Sequence, residues 1–185
     1  MTEKGVDPVR DAIRLVNCIQ ELVNCTTIDE YDPNDKKLKR GEAIRRRARS
    51  LPSLVASAGF ISSLTFYMSK ANEWNYQQVY EYLVKCFNNE ETVNCFNYAS
   101  SKDFLKEVSG EGEGGYATLT ALIAVELGRL LKEMEIGTNY DRISTLPRLS
   151  SILLNIIEKG KEIEVEKFMI QFLMEVKRLA EAYFQ

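Results

Sequence analysis

Apolar residues return every three or four positions along nearly the whole of this 185-residue chain, and no β-branched run alternates apolar with polar residues as a strand would. That periodicity predicts an all-α fold, most simply a compact bundle of about six to seven helices with no sheet. Asp7-Pro8 supplies an N-cap and a first-turn proline, and Ile13, Val16, Ile19 and Val23 follow at helical spacing toward an end by Thr26. The acidic run from Asp29 to Asp35 lacks the glycine and terminal glutamate of an EF-hand loop and reads as a solvated connector. A second helix presents a narrow stripe of Ile44, Ala48 and Leu51, and Leu51-Pro52 either breaks it or starts the next.

Residues 50–69 carry no charge, and their length alone makes a transmembrane candidate. Seven serine and threonine side chains, from Ser50 to Ser69, together with Pro52 and Gly59, are expensive in lipid. The stretch is therefore expected to be one buried core helix, presenting Leu54, Val55, Ala58, Ile61, Leu64, Thr65 and Met68. A helix over residues 75–87 should turn Val79, Leu83 and Cys86 inward, with Tyr76, Tyr80 and Tyr82 flanking. Ser100 or Ser101 could cap a short helix to Val108. From Tyr116 onward Leu119, Ile123, Leu127, Leu130 and Met134 form a clean stripe that Gly137 should stop. Pro147 opens a further helix, and the last should place Val165, Phe168, Phe172, Val176, Leu179 and Tyr183 on one face.

The chain contains no histidine. Ser-His and Cys-His nucleophile pairs, His metal ligands and imidazole proton shuttles are thereby excluded, which removes the E-x-x-H motif of a four-helix di-iron site. The carboxylates fall on polar helix faces, among them Glu126, Glu133, Glu162, Glu164 and Glu166, with no pattern that gathers a metal. No catalytic residue, metal site or cofactor is expected. Cys18, Cys25, Cys86 and Cys95 form no C-x-x-C pair, and Cys18 and Cys25 stand about 10.5 Å apart along one helix, too far to bridge. Buried free thiols are expected. The opening residues MTEKGVDPVRD lack the apolar core of a signal peptide, so a cytoplasmic location with no membrane is expected.

The net charge of −3 conceals a sharp asymmetry: residues 36–50 carry eight Lys/Arg and one Glu, a local +7, against −10 elsewhere. On a helical wheel Lys36, Lys39, Arg40, Arg46 and Arg47 fan over about 120° beside the apolar stripe. Arg45 and Arg49 fall on the far side near Glu42, close enough for a local salt bridge. Such an arc suits a phosphate backbone, and a solvated helix face is the competing reading. Trp74, Tyr76, Tyr80 and Tyr82 could stack on unpaired bases or sit in the core. Gly110 to Gly115 literally fits G-x-G-x-x-G, but no strand precedes it, Glu111 and Glu113 would repel phosphate, and Tyr116 stands where a P-loop needs lysine.

An Arg-rich helix, then Leu51-Pro52, a small-residue stretch with Gly59, and Thr65-Phe66-Tyr67-Met68-Ser69-Lys70 resemble the small α-helical subunit of the type III-B CRISPR RNA-targeting effector, the Cmr complex. The run from Tyr116 to Leu122, continued by Leu130-Leu131-Lys132, looks like that family's closing helix; Ala58 stands where the family's NGL-like turn has Asn. The resemblance spans roughly residues 40–135, so the expected organisation is one domain over residues 1–185 with a family-like core at about 36–135 and added helices at 1–28 and 140–185. It implies a non-catalytic subunit that meets other effector subunits, guide RNA and target RNA, with copies stacked along a filament in antiviral defence. Arg45, Arg46, Arg49 and Lys70 are the RNA-contacting positions it carries over; Lys36, Lys39, Arg40 and Arg47 come from the wheel. The rivals are a free-standing helical adaptor or regulator and, more distantly, a carboxylate-dependent metal hydrolase.

Overall fold

A computed structural model of the chain describes residues 5–25, 41–88, 107, 114–136 and 143–184. Among these are seven helices and no strand: α1 Pro8–Asn24, α2 Glu42–Ala58, α3 Phe60–Lys70, α4 Glu73–Phe87, α5 Tyr116–Glu133, α6 Leu146–Glu158 and α7 Glu162–Tyr183. The all-α bundle expected from periodicity is what forms. The Asp7 carboxylate accepts the N–H groups of Val9 at 3.0 Å and Arg10 at 2.9 Å, so α1 starts where its cap residue predicts. Its inward face is turned from the expected one. The turn is slight: Val16, Ile19 and Val23 are buried as expected, joined by Ala12, Leu15, Leu22 and Asp11, while Ile13 is exposed.

The uncharged run is not one helix. α2 continues through Pro52, and Gly59 then separates it from α3 with φ 83° and ψ 158°, a backbone conformation closed to residues with a Cβ. The Gly59 carbonyl starts the next helix by accepting the Ser63 N–H at 3.1 Å and the Ser63 hydroxyl at 2.7 Å. Many of the hydroxyls that argued against lipid, including those of Ser53, Ser57, Ser62, Thr65 and Ser69, lie at the surface. No described helix is long and apolar enough to cross a membrane.

α5 is the axis of the fold, buried around almost its whole circumference and packed on α2, α3 and α4. Its end comes before Gly137, which lies outside the described residues. Glu135 takes a positive φ of 54°, and the Ile136 N–H returns to the Leu131 carbonyl at 3.0 Å in a Schellman-like closure. Tyr76, Tyr80 and Tyr82 are buried, not flanking: the Tyr76 hydroxyl donates to the Ile143 carbonyl, and the Tyr80 oxygen accepts the Ile143 N–H at 3.1 Å. Burial pushes the Tyr82 hydroxyl up to about 12, and that of Tyr76 further still. α1 and α2 both lean on α7, whose buried stripe is Val165, Met169, Phe172, Leu173, Val176 and Ala180. Phe168 and Leu179 are half-buried, and Tyr183 is exposed.

The expectation of free thiols is overturned. Cys18 of α1 is bonded to Cys86 of α4, with Cα atoms 6.1 Å apart across 68 residues of sequence, and Cys25 is disulfide-bonded as well. Cys18 and Cys25 are indeed not joined to each other. Packing of α1 beside α4 supplies a partner that spacing along one helix cannot reveal. Cys95 lies outside the described residues, as do the acidic connector, the helix expected to end at Val108, and Gly110.

Candidate nucleic-acid interface

α2 divides its residues sharply. Ala43, Ile44, Ala48, Leu51 and Val55 are buried, so the stripe read from sequence is the face that meets the core. At 100° per residue Arg46 and Arg49 then fall on the opposite side, where both are exposed among Ser50, Ser53 and Ser57. Arg45 and Arg47 sit half-buried on the two shoulders. The pairing expected with Glu42 takes another form for Arg49, whose Nε reaches the Glu181 carboxylate of α7 at 2.9 Å.

Arg47 leans toward α5. Its guanidinium carbon lies 4.2 Å from the centroid of the Tyr116 ring, and its Nε donates to the Gly114 carbonyl at 3.4 Å. This approach depends on Gly115, which has φ 88° and whose added Cβ would stand 2.7 Å from the Ala43 carbonyl oxygen. Tyr116 packs edge-on against Tyr67 at 5.0 Å and Phe66 at 6.0 Å between centroids. The Tyr67 hydroxyl returns to α2, donating to the Arg47 carbonyl at 2.8 Å. One turn after Phe66 stands the exposed Lys70. Arg47, Tyr116, Phe66 and Lys70 thus make a strip beside the outward arginines, and Phe66 leaves 46% of its surface open to solvent at the strip's edge.

Of the eight basic residues singled out from sequence, Arg45, Arg46, Arg47, Arg49 and Lys70 gather on α2 and the end of α3. Lys36, Lys39 and Arg40 lie outside the described residues. Among the aromatics considered for base stacking, Trp74 is exposed, and the three tyrosines belong to the core. Phe66 and Tyr116 escaped notice. The signal that could have found Phe66 is its i, i+4 spacing to Lys70, which places an aromatic ring and a cation on one helical face.

The acids also differ from expectation. Glu126 is fully buried, not on a polar face, and Glu107 is buried too. Glu107 accepts the Thr118 N–H at 2.9 Å in the first turn of α5, doing the capping that Gly115 has no side chain to do. Burial raises its carboxyl to about 7 despite those amides. Among the described residues no group of three or more His, Cys, Asp or Glu could hold a metal ion.

A family model described as CRISPR-associated protein (Cas_Cmr5) matches residues 18–127, from the middle of α1 to the last turns of α5, and so contains the whole α2–α3 surface. No curated protein and no solved structure matches the chain.

Proposed function

The chain belongs to the Cas_Cmr5 family of CRISPR-associated Cmr complex subunits, and on that premise we propose that it is a non-catalytic, RNA-contacting structural subunit of a type III-B effector. The observation that supports this reading is the exposure, inside the matched residues, of Arg46 and Arg49 on α2 and Lys70 on α3, two helices joined by the Arg47–Tyr116–Phe66 stack. Exposed cations at helical intervals neutralise successive backbone phosphates without reading sequence, while an aromatic edge offers a surface to an unpaired base. Arg45, Arg46, Arg47, Arg49 and Lys70 make the RNA contacts in this proposal, joined by Lys36, Lys39 and Arg40 of the same basic segment. The partners are guide RNA, target RNA and other effector subunits. One surface supplies few phosphate contacts, so stacked copies provide avidity. The proposal treats the chain as one domain whose terminal helices are additions to a family core.

Cytoplasmic location is part of the same proposal. The Cys18–Cys86 disulfide suits it if the host is a hyperthermophile, because intracellular proteins of such organisms are disulfide-rich.

The test is RNA binding by the assembled complex across a salt series. Affinity should fall steeply with salt, and Arg46→Glu combined with Arg47→Glu should weaken binding at every sequence and lower the log–log salt slope by about 1 for each phosphate no longer neutralised. Salt-independent binding, or an unchanged slope in the variant, would overturn the electrostatic reading.

A further inference from the structure

A cavity of about 1000 Å³ opens between α1, α4 and α5, on cations that owe nothing to the basic segment. Arg10 and Arg14 stand at i and i+4 on α1, and Arg129 and Lys132 at i and i+3 on α5, so each helix turns two cations toward the same space. Phe87, at the end of α4, joins them: the guanidinium carbons of Arg14 and Arg129 each lie 4.3 Å from its ring centroid. Arg14 is fixed further by donating to the Phe87 carbonyl at 2.7 Å. These side chains are therefore held in place ahead of any ligand.

The charges facing the cavity do not cancel. Asp11 takes Arg129 at 2.6 Å and Arg10 at 3.0 Å, and Glu126 takes Arg129 at 3.0 Å. Glu133, a further acid on the lining, accepts the Val6 N–H. Among the described residues no carboxylate forms an ion pair with Arg14 or Lys132. Burial, reinforced by neighbouring Asp11, raises the Glu126 carboxyl to about 8 against the pull of Arg129 and Arg10, so near neutrality it is mostly uncharged. Four cations then face Asp11 and Glu133 alone.

We propose that this cavity binds the phosphate group of a nucleotide, with Arg14 and Lys132 as its direct cationic ligands, Arg10 and Arg129 completing a positive wall, and the apolar side formed by Phe87, Tyr80 and Val84 receiving the nucleoside. Guanidinium groups suit phosphate oxygens through their planar donor sets, and the volume is that of an ordinary small-molecule site. All four cations fall outside residues 18–127, so the positive wall comes from parts of this chain that the family model does not match, while the apolar side lies within them. It does not rest on the α2 surface, and either can fail without the other.

The experiment is calorimetric titration of the full chain with AMP, with adenosine, and with a short RNA carrying either a 5′-phosphate or a 5′-hydroxyl. AMP or the 5′-phosphorylated RNA should bind with a Kd of about 1 mM or tighter, and the matching ligand without phosphate at least about tenfold more weakly. Preference for AMP identifies a free nucleotide, and preference for the phosphorylated RNA identifies a strand end; both support the site. Arg14→Ala and, separately, Lys132→Ala should each weaken binding about tenfold or more, while Arg46→Glu leaves it unchanged. Lys132 is exposed and pairs with no described carboxylate, so its variant remains interpretable if Arg14→Ala loosens the fold. Equal binding with and without phosphate, no binding of either phosphorylated ligand, or full binding in Lys132→Ala would overturn the proposal.

Discussion

The outer face of α2 and the cavity between α1 and α5 both gather arginines. The first takes them from residues 45–49 of one helix, and the second draws Arg10 and Arg14 together with Arg129 and Lys132 from helices far apart in sequence. On α2 the charges point into water, where an ion pair such as Arg49–Glu181 is screened and contributes little to holding the fold. At the cavity Asp11 and Glu126 are both fully buried, Asp11 as the counter-charge of Arg129 and Glu126 as its hydrogen-bond acceptor, so their hold on Arg129 is bound up with the packing of the helices themselves. Similar side chains thus form a surface that folding hardly depends on, and a wall that cannot be separated from it.

The strongest way to break this contrast is reduction of the Cys18–Cys86 bond, which ties the helix bearing Arg14 to the helix bearing Phe87. Its loop of 68 residues corresponds, in the chain-entropy account, to about 4 kcal/mol of stability. Urea denaturation with and without reductant, which also opens the bond at Cys25, should show a loss of at least that order, with RNA binding by the α2 surface kept wherever the chain remains folded. A smaller effect follows from Glu126. Its carboxyl sits above its ordinary value in the folded state, so between the usual carboxylate range and about pH 8 the folded chain holds a proton that the unfolded chain has released. Its stabilisation is full at acid pH and is lost as pH rises through about 8. Wild-type stability should decline by about 2 kcal/mol more than that of Glu126→Gln from roughly pH 6 to 8, measured by denaturation at each pH. Least of all, Arg49→Ala should cost no more than about 0.5 kcal/mol in the same assay, since both partners of its ion pair are exposed. A larger loss would show that the α2 surface helps to hold the fold after all.

What sequence reveals follows the same division. The Ile44-Ala48-Leu51 stripe and the Asp7 cap were legible because each depends on residues within a turn or two of one another. The all-α class was legible for the same reason. The break at Gly59 was not: the run around it is uniformly small and uncharged, and the break needs the Phe60 N–H to find Glu166, 106 residues away. The buried tyrosines depended on Ile143, the disulfide on α1 lying beside α4, and the cavity on α1 facing α5. Of the candidate interface, Arg46 and Arg47 were placed on the basic arc by the wheel, whereas Arg45, Arg49 and Lys70 came only through the family resemblance. The stack of Arg47 on Tyr116 was not, because it spans a loop and two helices.

One consequence lies in how α7 braces α2. Glu166 holds the Phe60 N–H just past one end, and α7's inward stripe packs along the length of α2, the exposed Arg49–Glu181 pair adding little. Yet α7 lies wholly beyond the family match, which also begins halfway along α1. The residues that the family model matches and the residues that pack together as one fold therefore do not coincide. A fragment trimmed to residues 18–127 would keep the matched segment and discard Glu166 and the inward stripe of α7, so in this chain the orientation of the basic helix depends on residues outside that segment.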